Sequence, residues 1–211
     1  MNLSLKYNHE KETYDYGLEM SLFYNNIKNS ISLIPVGNDS KLYTYININN
    51  KVTQGFQLNF NNRVYPWLEI ALGFSETGKK QFINDNVTFD MDYSSDFIAD
   101  VKYLWRKTDI NFSVFYKYNG AYPEVILGTD DLVYRTTIAS YHTLDISASR
   151  WLWKKRLNVQ IGAKNLFDNK ILNIKGDSGG GGIHGEGNSG SSTVAWGRTY
   201  FVKLALALKK Y

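Results

Sequence analysis

The sequence predicts an all-β chain, an antiparallel sheet of the transmembrane-barrel type, and three observations predict it. Apolar and polar residues alternate over segments longer than an ordinary globular strand needs. The connections between these segments are short and long in turn. Aromatic residues gather at both ends of the alternating rows and leave an aliphatic middle.

Composition removes the competing classes. The 211 residues are 21% charged, 43% hydrophobic and 15% aromatic, which fits neither an acidic disordered chain nor a helical bundle rich in Ala, Glu, Leu and Lys. Sixteen Tyr, eleven Phe and five Trp favour strands. Mean hydropathy is −0.36, and no window approaches the roughly 18–20 apolar residues of a membrane helix. Any membrane crossing is therefore made of strands. With no cysteine, disulfide scaffolds and thiolate sites are excluded, and no metal or other cofactor is expected. A net charge of +4 without a dense basic run predicts no nucleic-acid partner. Met1 to Tyr7 lacks the basic, apolar and cleavage regions of a secretory signal and reads as already within a strand.

Taken in order, the elements number about nine, near 2–8, 13–33, 42–62, 66–76, 93–105, 109–121, 138–151, 155–167 and 197–211. Tyr14, Tyr16, Leu18, Met20, Leu22 and Tyr24 form one row, and its phase shifts at Ile27 and Ile31, which predicts a bulge near Asn25 and Asn26. Phe56, Leu58 and Phe60 alternate with Gln57, Asn59 and Asn61. Leu68, Ile70, Leu72 and Phe74 follow, then Phe97, Ala99, Val101, Tyr103 and Trp105, with Ile98 and Leu104 as interruptions. Ile110, Phe112, Val114, Tyr116 and Tyr118 continue the series, as do Leu144, Ile146 and Ala148. Leu157, Val159, Ile161 and Ala163 oppose Asn158, Gln160, Gly162 and Lys164, because successive strand side chains point to opposite faces. The last row is Tyr200, Val202, Leu204, Leu206 and Leu208.

The predicted connections around Asn8–Glu12, Arg63–Tyr65, Arg106–Thr108 and Leu152–Lys154 are tight, while those around 34–41, 77–92, 122–137 and 168–196 are long. Tight turns on one side and extended loops on the other are the barrel arrangement. A soluble β-sandwich alternates in the same way, so the aromatics decide between the two. Tyr65, Trp67, Trp105, Trp151, Trp153 and Tyr211 lie at the short-turn ends, and Phe74, Tyr118, Tyr122, Tyr141 and Tyr200 lie at the long-loop ends. That places two amphipathic girdles at headgroup depth.

Several short motifs then resemble one family. Tyr43-Thr44-Tyr45-Ile46-Asn47 with Gly55-Phe56-Gln57-Leu58, Pro66-Trp67-Leu68, Asn165-Leu166-Phe167-Asp168 and Gly197-Arg198-Thr199-Tyr200-Phe201 are similar, in order and spacing, to the C-terminal barrel strands of TonB-dependent outer-membrane receptors. Gln57 stands where the family usually has Glu, and Leu208 stands where the chain usually ends in an aromatic, ahead of the extension Lys209-Lys210-Tyr211. The resemblance implies a barrel of about 22 strands filled by an N-terminal plug, of which residues 1–211 are the C-terminal segment. The plug and the N-terminal strands are absent, so the expected fold is an open fragment of a larger barrel. It implies the outer membrane of a Gram-negative bacterium, outer-membrane lipid and the missing barrel and plug as partners, and TonB acting through the missing part. It further implies active uptake of a siderophore, haem or cobalamin. The alternative is a stand-alone small barrel, porin-like or structural.

Candidate site residues fall into three groups. His184, Asp130 and Asp131 lie in predicted extracellular loops and are candidates for ligand contact. Glu69, Asp96, Asp100, Lys102, Lys117, Asp145, Lys164 and Lys203 are expected on the wet face, toward the lumen, where charge is tolerated. Gly176-Asp177-Ser178-Gly179-Gly180 resembles the nucleophile motif of trypsin-like serine proteases, but His9 and His142 lack a family context and Gly181 replaces the usual Pro. The glycine and serine run from 176 to 192 reads as a flexible loop, so no enzyme is expected. Arg106-Lys107 and Lys154-Lys155-Arg156 read as cations that are solvated or level with headgroups, not as a partner site.

Overall fold

The computed structural model describes residues 1–36, 39–83, 86–128, 132–176, 190–193 and 197–207. Thirteen strands occur in chain order: β1 (Asn2–Glu10), β2 (Tyr14–Val36), β3 (Asp39–Val64), β4 (Leu68–Ile83), β5 (Asn86–Trp105), β6 (Ile110–Asn119), β7 (Tyr122–Leu127), β8 (Val133–Ile138), β9 (Tyr141–Leu152), β10 (Leu157–Lys164), β11 (Ile171–Gly176), β12 (Gly190–Thr193) and β13 (Thr199–Leu206). Among the described residues there is no helix. The main sheet runs β1-β2-β3-β4-β5-β6-β9-β10-β13, every neighbour antiparallel. These are the nine elements that the alternation predicts, and their tight turns fall at 11–13, 65–67, 106–109 and 153–156.

Register shows why alternation specified them. Tyr7, Leu18, Phe60, Leu72, Ala99, Tyr116 and Leu144 face one another in turn across seven strands. One residue along, Asn8, Gly17, Asn61, Ala71, Asp100, Phe115 and Asp145 form the matching row on the opposite face. Paired residues share a face, so the sheet has an apolar side and a polar side. The apolar side is uncovered: Leu5 is 72%, Val202 70% and Leu204 67% exposed. No second sheet packs on it, which separates this fold from a sandwich.

The sheet is not closed. β1 pairs only with β2 and β13 only with β10, so two edges carry no partner among the described residues.

Two features differ from the sequence reading. There is no bulge near Asn25 and Asn26: each pairs in turn with Thr53 and Val52, the register is the same from Tyr14↔Val64 to Pro35↔Tyr43, and it shifts only between Pro35 and Val36, although the ladder skips Asn29, whose φ is 53°. The apolar row changes face beyond Tyr24 because the hairpin there has outgrown the apolar zone, not because the ladder slips. The predicted long loops are also largely strand. β2 to β5 contain 23, 26, 16 and 20 residues, against about 9–11 for one tilted crossing. β7 (Tyr122–Leu127) and β8 (Val133–Ile138) pair as a hairpin, and β11 pairs with β12 inside the longest connection. The extension 208–211 lies outside the described residues.

Gly55 explains one motif physically. A Cβ at this position would run into the Glu76 carbonyl oxygen across the β3–β4 ladder and into the Phe23 ring. Backbone cannot yield as a side-chain tip does, so Gly55→Ala is expected to break the ladder locally. Amide exchange at Glu76 and Thr77 is the measurement, with protection lost there and kept at Leu68 to Leu72.

Candidate functional site

Two regions can carry function: the extended hairpins at the long-loop end and the polar face of the main sheet. At the first, β2 and β3 rise beyond the main sheet, and Val36 meets Leu127 of β7 in a single parallel bridge. Ile34, Ile48, Ile83 and Val125 are buried there, with Ile46, Leu127 and Val133 against them. This small cluster is most of the buried apolar core, so it fixes the hairpins to one another and leaves the uncovered sheet to other surroundings.

Charges hold the β7–β8 hairpin against β4 and β5. Lys79 donates to the Pro123 carbonyl at 3.2 Å and lies 3.7 Å from Glu124, while Arg135 pairs with Asp92. Burial lowers the Lys79 pKa from its ordinary 10.5, and the Glu124 carboxylate only partly opposes that. Burial also raises the Tyr122 hydroxyl. For Lys79 the folded value lies below the unfolded one, so the protonated form is penalised and stability rises with pH between the two. A ¹³C titration of the lysine side chains is expected to show Lys79 losing its proton ahead of exposed lysines, and β7–β8 amide protection, corrected for base-catalysed intrinsic exchange, is expected to rise over the same interval below pH 10.5.

A second structure sits where β10 ends. Asn165, 6% exposed and with φ of 50°, turns the chain back. Its side chain donates to Asn169 O at 2.9 Å and accepts from Asn169 N at 3.2 Å, and its N–H donates to Asp145 at 2.8 Å. Asp168 accepts the Arg198 N–H at 2.7 Å and lies 3.1 Å from Lys170. Both interactions, the backbone one first, hold its carboxyl below the ordinary range. Arg198 Nε donates to Leu166 O at 2.9 Å. The Asn-Leu-Phe-Asp and Gly-Arg motifs thus form one clasp that joins β9, β10 and β13 across the chain between them.

On the polar face, register places Glu69, Asp96, Asp100, Lys102, Lys117, Asp145, Lys164 and Lys203 together on one side. They do not form one cluster. Glu69 and Lys102 meet near the short turns, where Glu69 lies 3.1 Å from Arg63 and 3.4 Å from Lys102. Arg63 is not among the sequence candidates because it falls in a predicted turn; the register places it opposite Asp15 and Glu69. This row borders a hollow of about 390 Å³ that also includes Asp100. Asp96 instead accepts the Gly120 N–H at 3.1 Å, Asp145 belongs to the clasp, and Lys164 lies 5.9 Å over the Phe201 ring. Lys79, Asp92, Glu124 and Arg135 are not among the sequence candidates because they fall in the predicted long connections 77–92 and 122–137.

His184, Asp130, Asp131 and Ser178 lie outside the described residues. His142 packs its ring 4.6 Å from Phe167 and its carbonyl accepts from Asn169, so its role here is in the clasp.

No curated protein and no solved structure matches the chain. A family model described as "TonB dependent receptor-like, beta-barrel" matches residues 1–166, which covers β1 to β10 and stops inside the clasp. The match takes in more than half of the 211 residues and agrees with the all-antiparallel alternating sheet, so the chain belongs to the TonB-dependent receptor-like β-barrel family.

Proposed function

We propose that residues 1–211 form the C-terminal part of the barrel of a TonB-dependent receptor in the outer membrane of a Gram-negative bacterium. The receptor actively imports a scarce nutrient of the siderophore, haem or cobalamin type. The observation that carries this reading is the pair of unpaired edges on β1 and β13. In hydrocarbon an open edge leaves backbone N–H and C=O groups unsatisfied at several kcal/mol each, so further strands close the sheet. The polar face then borders a lumen that the plug fills, and the plug is what TonB moves. The extended hairpins, with Asp130, Asp131 and His184 in their connections, face the arriving ligand.

Uptake assays test this. A receptor containing this segment is expected to accumulate one labelled compound among a ferric siderophore, haem and cobalamin, only in cells with TonB and a proton-motive force. Residues 1–211 alone are expected to give no uptake. TonB-independent leakage of small solutes through liposomes holding only this chain overturns the reading in favour of a closed small barrel.

A further inference from the structure

The short-turn rim has a charge asymmetry that the uptake role does not use. The β5–β6 and β9–β10 turns are neighbours, because Ile110 at the start of β6 pairs with Arg150 near the end of β9. Together they present Arg106, Lys107, Arg150, Lys154, Lys155 and Arg156, all exposed, against one acid, Asp109. None of the six has a carboxylate within ion-pair distance among the described residues. The β1–β2 turn at the other end of the same rim is acidic, with Glu10, Glu12 and Asp15 around Lys11.

Arg150 is the informative residue. Register puts it on the apolar face, in a row with Trp105, Ile110, Val159 and Leu204. A guanidinium there has no protein anion to meet, and it reaches water only at headgroup depth, where the cost falls to about 0–1 kcal/mol. Trp105 is 43% and Trp153 71% exposed beside it, and exposed indoles favour the same depth. The β9–β10 turn is also strained: Trp153, Lys154 and Lys155 are three successive non-glycine residues with φ of 49°, 52° and 63°. Such conformations each cost on the order of 1 kcal/mol and persist where something offsets them.

We infer that this rim is a binding surface for the headgroups of anionic phospholipids in the leaflet on the short-turn side, with Arg150 and the Lys154–Arg156 turn supplying the cations that hold the phosphate. The chemistry is charge complementarity at an interface of fixed depth, with roughly fivefold enrichment per engaged cation. The inference rests on the apolar face meeting lipid and does not depend on what the receptor imports.

The test reconstitutes a receptor that contains this segment, with tryptophan kept only within residues 1–211, in phosphatidylcholine vesicles in which a fixed fraction of lipid carries brominated tails, which quench nearby tryptophan. Brominated phosphatidylglycerol is expected to quench several-fold more than brominated phosphatidylcholine at equal mole fraction. The excess is expected to vanish in about 1 M salt, where the Debye length is about 3 Å, and in the variant Arg150→Gln/Lys154→Gln/Lys155→Gln/Arg156→Gln. Arg150→Gln alone, a milder change, is expected to lose part of it, and Lys11→Gln none. Equal quenching by the two lipids, or an excess that survives in the fourfold variant, overturns the inference while leaving the barrel intact. An excess erased by inorganic phosphate also overturns it, since the site then takes free anion. No quenching by either lipid sinks the membrane assignment itself, and the receptor reading with it.

Discussion

An arginine placed at Ile161 is expected to cost about 2–4 kcal/mol in a bilayer, whereas an arginine at Ser149 is expected to cost nearly nothing. The two positions lie in adjacent rows of the same sheet. Ile161 pairs with Ala148 and Val202 on the apolar face, and Ser149 pairs with Asn111 and Gln160 on the polar one. Urea titration of tryptophan fluorescence, on a receptor that contains this segment in phospholipid vesicles, reads both changes. Because Ile161 is already 55% exposed, the long side chain has room, and steric conflict adds little. In a water-soluble sheet the same substitution would fall within about 0.5 kcal/mol of neutral. An Ile161→Arg chain as stable as the parent would therefore show the apolar face in contact with water or protein.

The force of that comparison comes from where the apolar residues went. A soluble chain of this length buries most of its large apolar side chains. Among the described residues the buried hydrophobic ones are Ile34, Ile48, Ile83, Val125 and Ala163, and most belong to the hairpins at the long-loop end. Leu3, Leu5, Met20, Leu22, Val202, Leu204 and Leu206 are exposed. Apolar area left uncovered on this scale marks an interaction surface, and its continuity across seven strands fits hydrocarbon better than a discrete partner.

What the sequence revealed follows the same division. Wherever one face meets apolar surroundings and the other meets water, the two-residue period is strong, and every strand of the main sheet was legible: Leu157 to Lys164 is a strand in both readings. Beyond the apolar zone no bilayer separates the two faces, burial comes only where β7–β8 packs on the hairpins, and the period carries no signal. Glu76-Thr77-Gly78-Lys79-Lys80-Gln81 looks like a loop by composition, yet it pairs residue by residue with β3. Here strand is specified by the hairpin's continuation and by the inward packing of β7–β8, which a local pattern cannot show. Asn25 and Asn26 suggest a bulge for the same reason, since a change of environment along a ladder of constant register mimics a change of register. The clasp was visible as a motif and invisible as a mechanism. Asn165 and Arg198 are 33 positions apart, and nothing in either tetrapeptide says that they close on one another.

That clasp supplies the second large effect. Asn165→Ala removes an acceptor and a donor that both engage Asn169, at about 1–3 kcal/mol for groups left unsatisfied in a buried position. It also puts alanine at a φ of 50°, a conformation that costs a non-glycine residue without a compensating polar side chain roughly 1 kcal/mol more. The sum, about 2–4 kcal/mol, should appear where the clasp joins β9, β10 and β13, as faster amide exchange at Leu166, Asp168 and Arg198 with the β3–β4 ladder unchanged. Asn165→Gly separates the contributions: glycine accepts the backbone conformation and loses only the side-chain hydrogen bonds, so it should recover the smaller part. If the glycine variant matched the parent, the hydrogen bonds to Asn169 would contribute nothing, and the asparagine would be present only because it tolerates a left-handed turn. If both variants matched the parent, β13 would be held by its ladder to β10 alone, and Leu166 N–H to Leu144 O would be the last bond of β9 and not part of a lock.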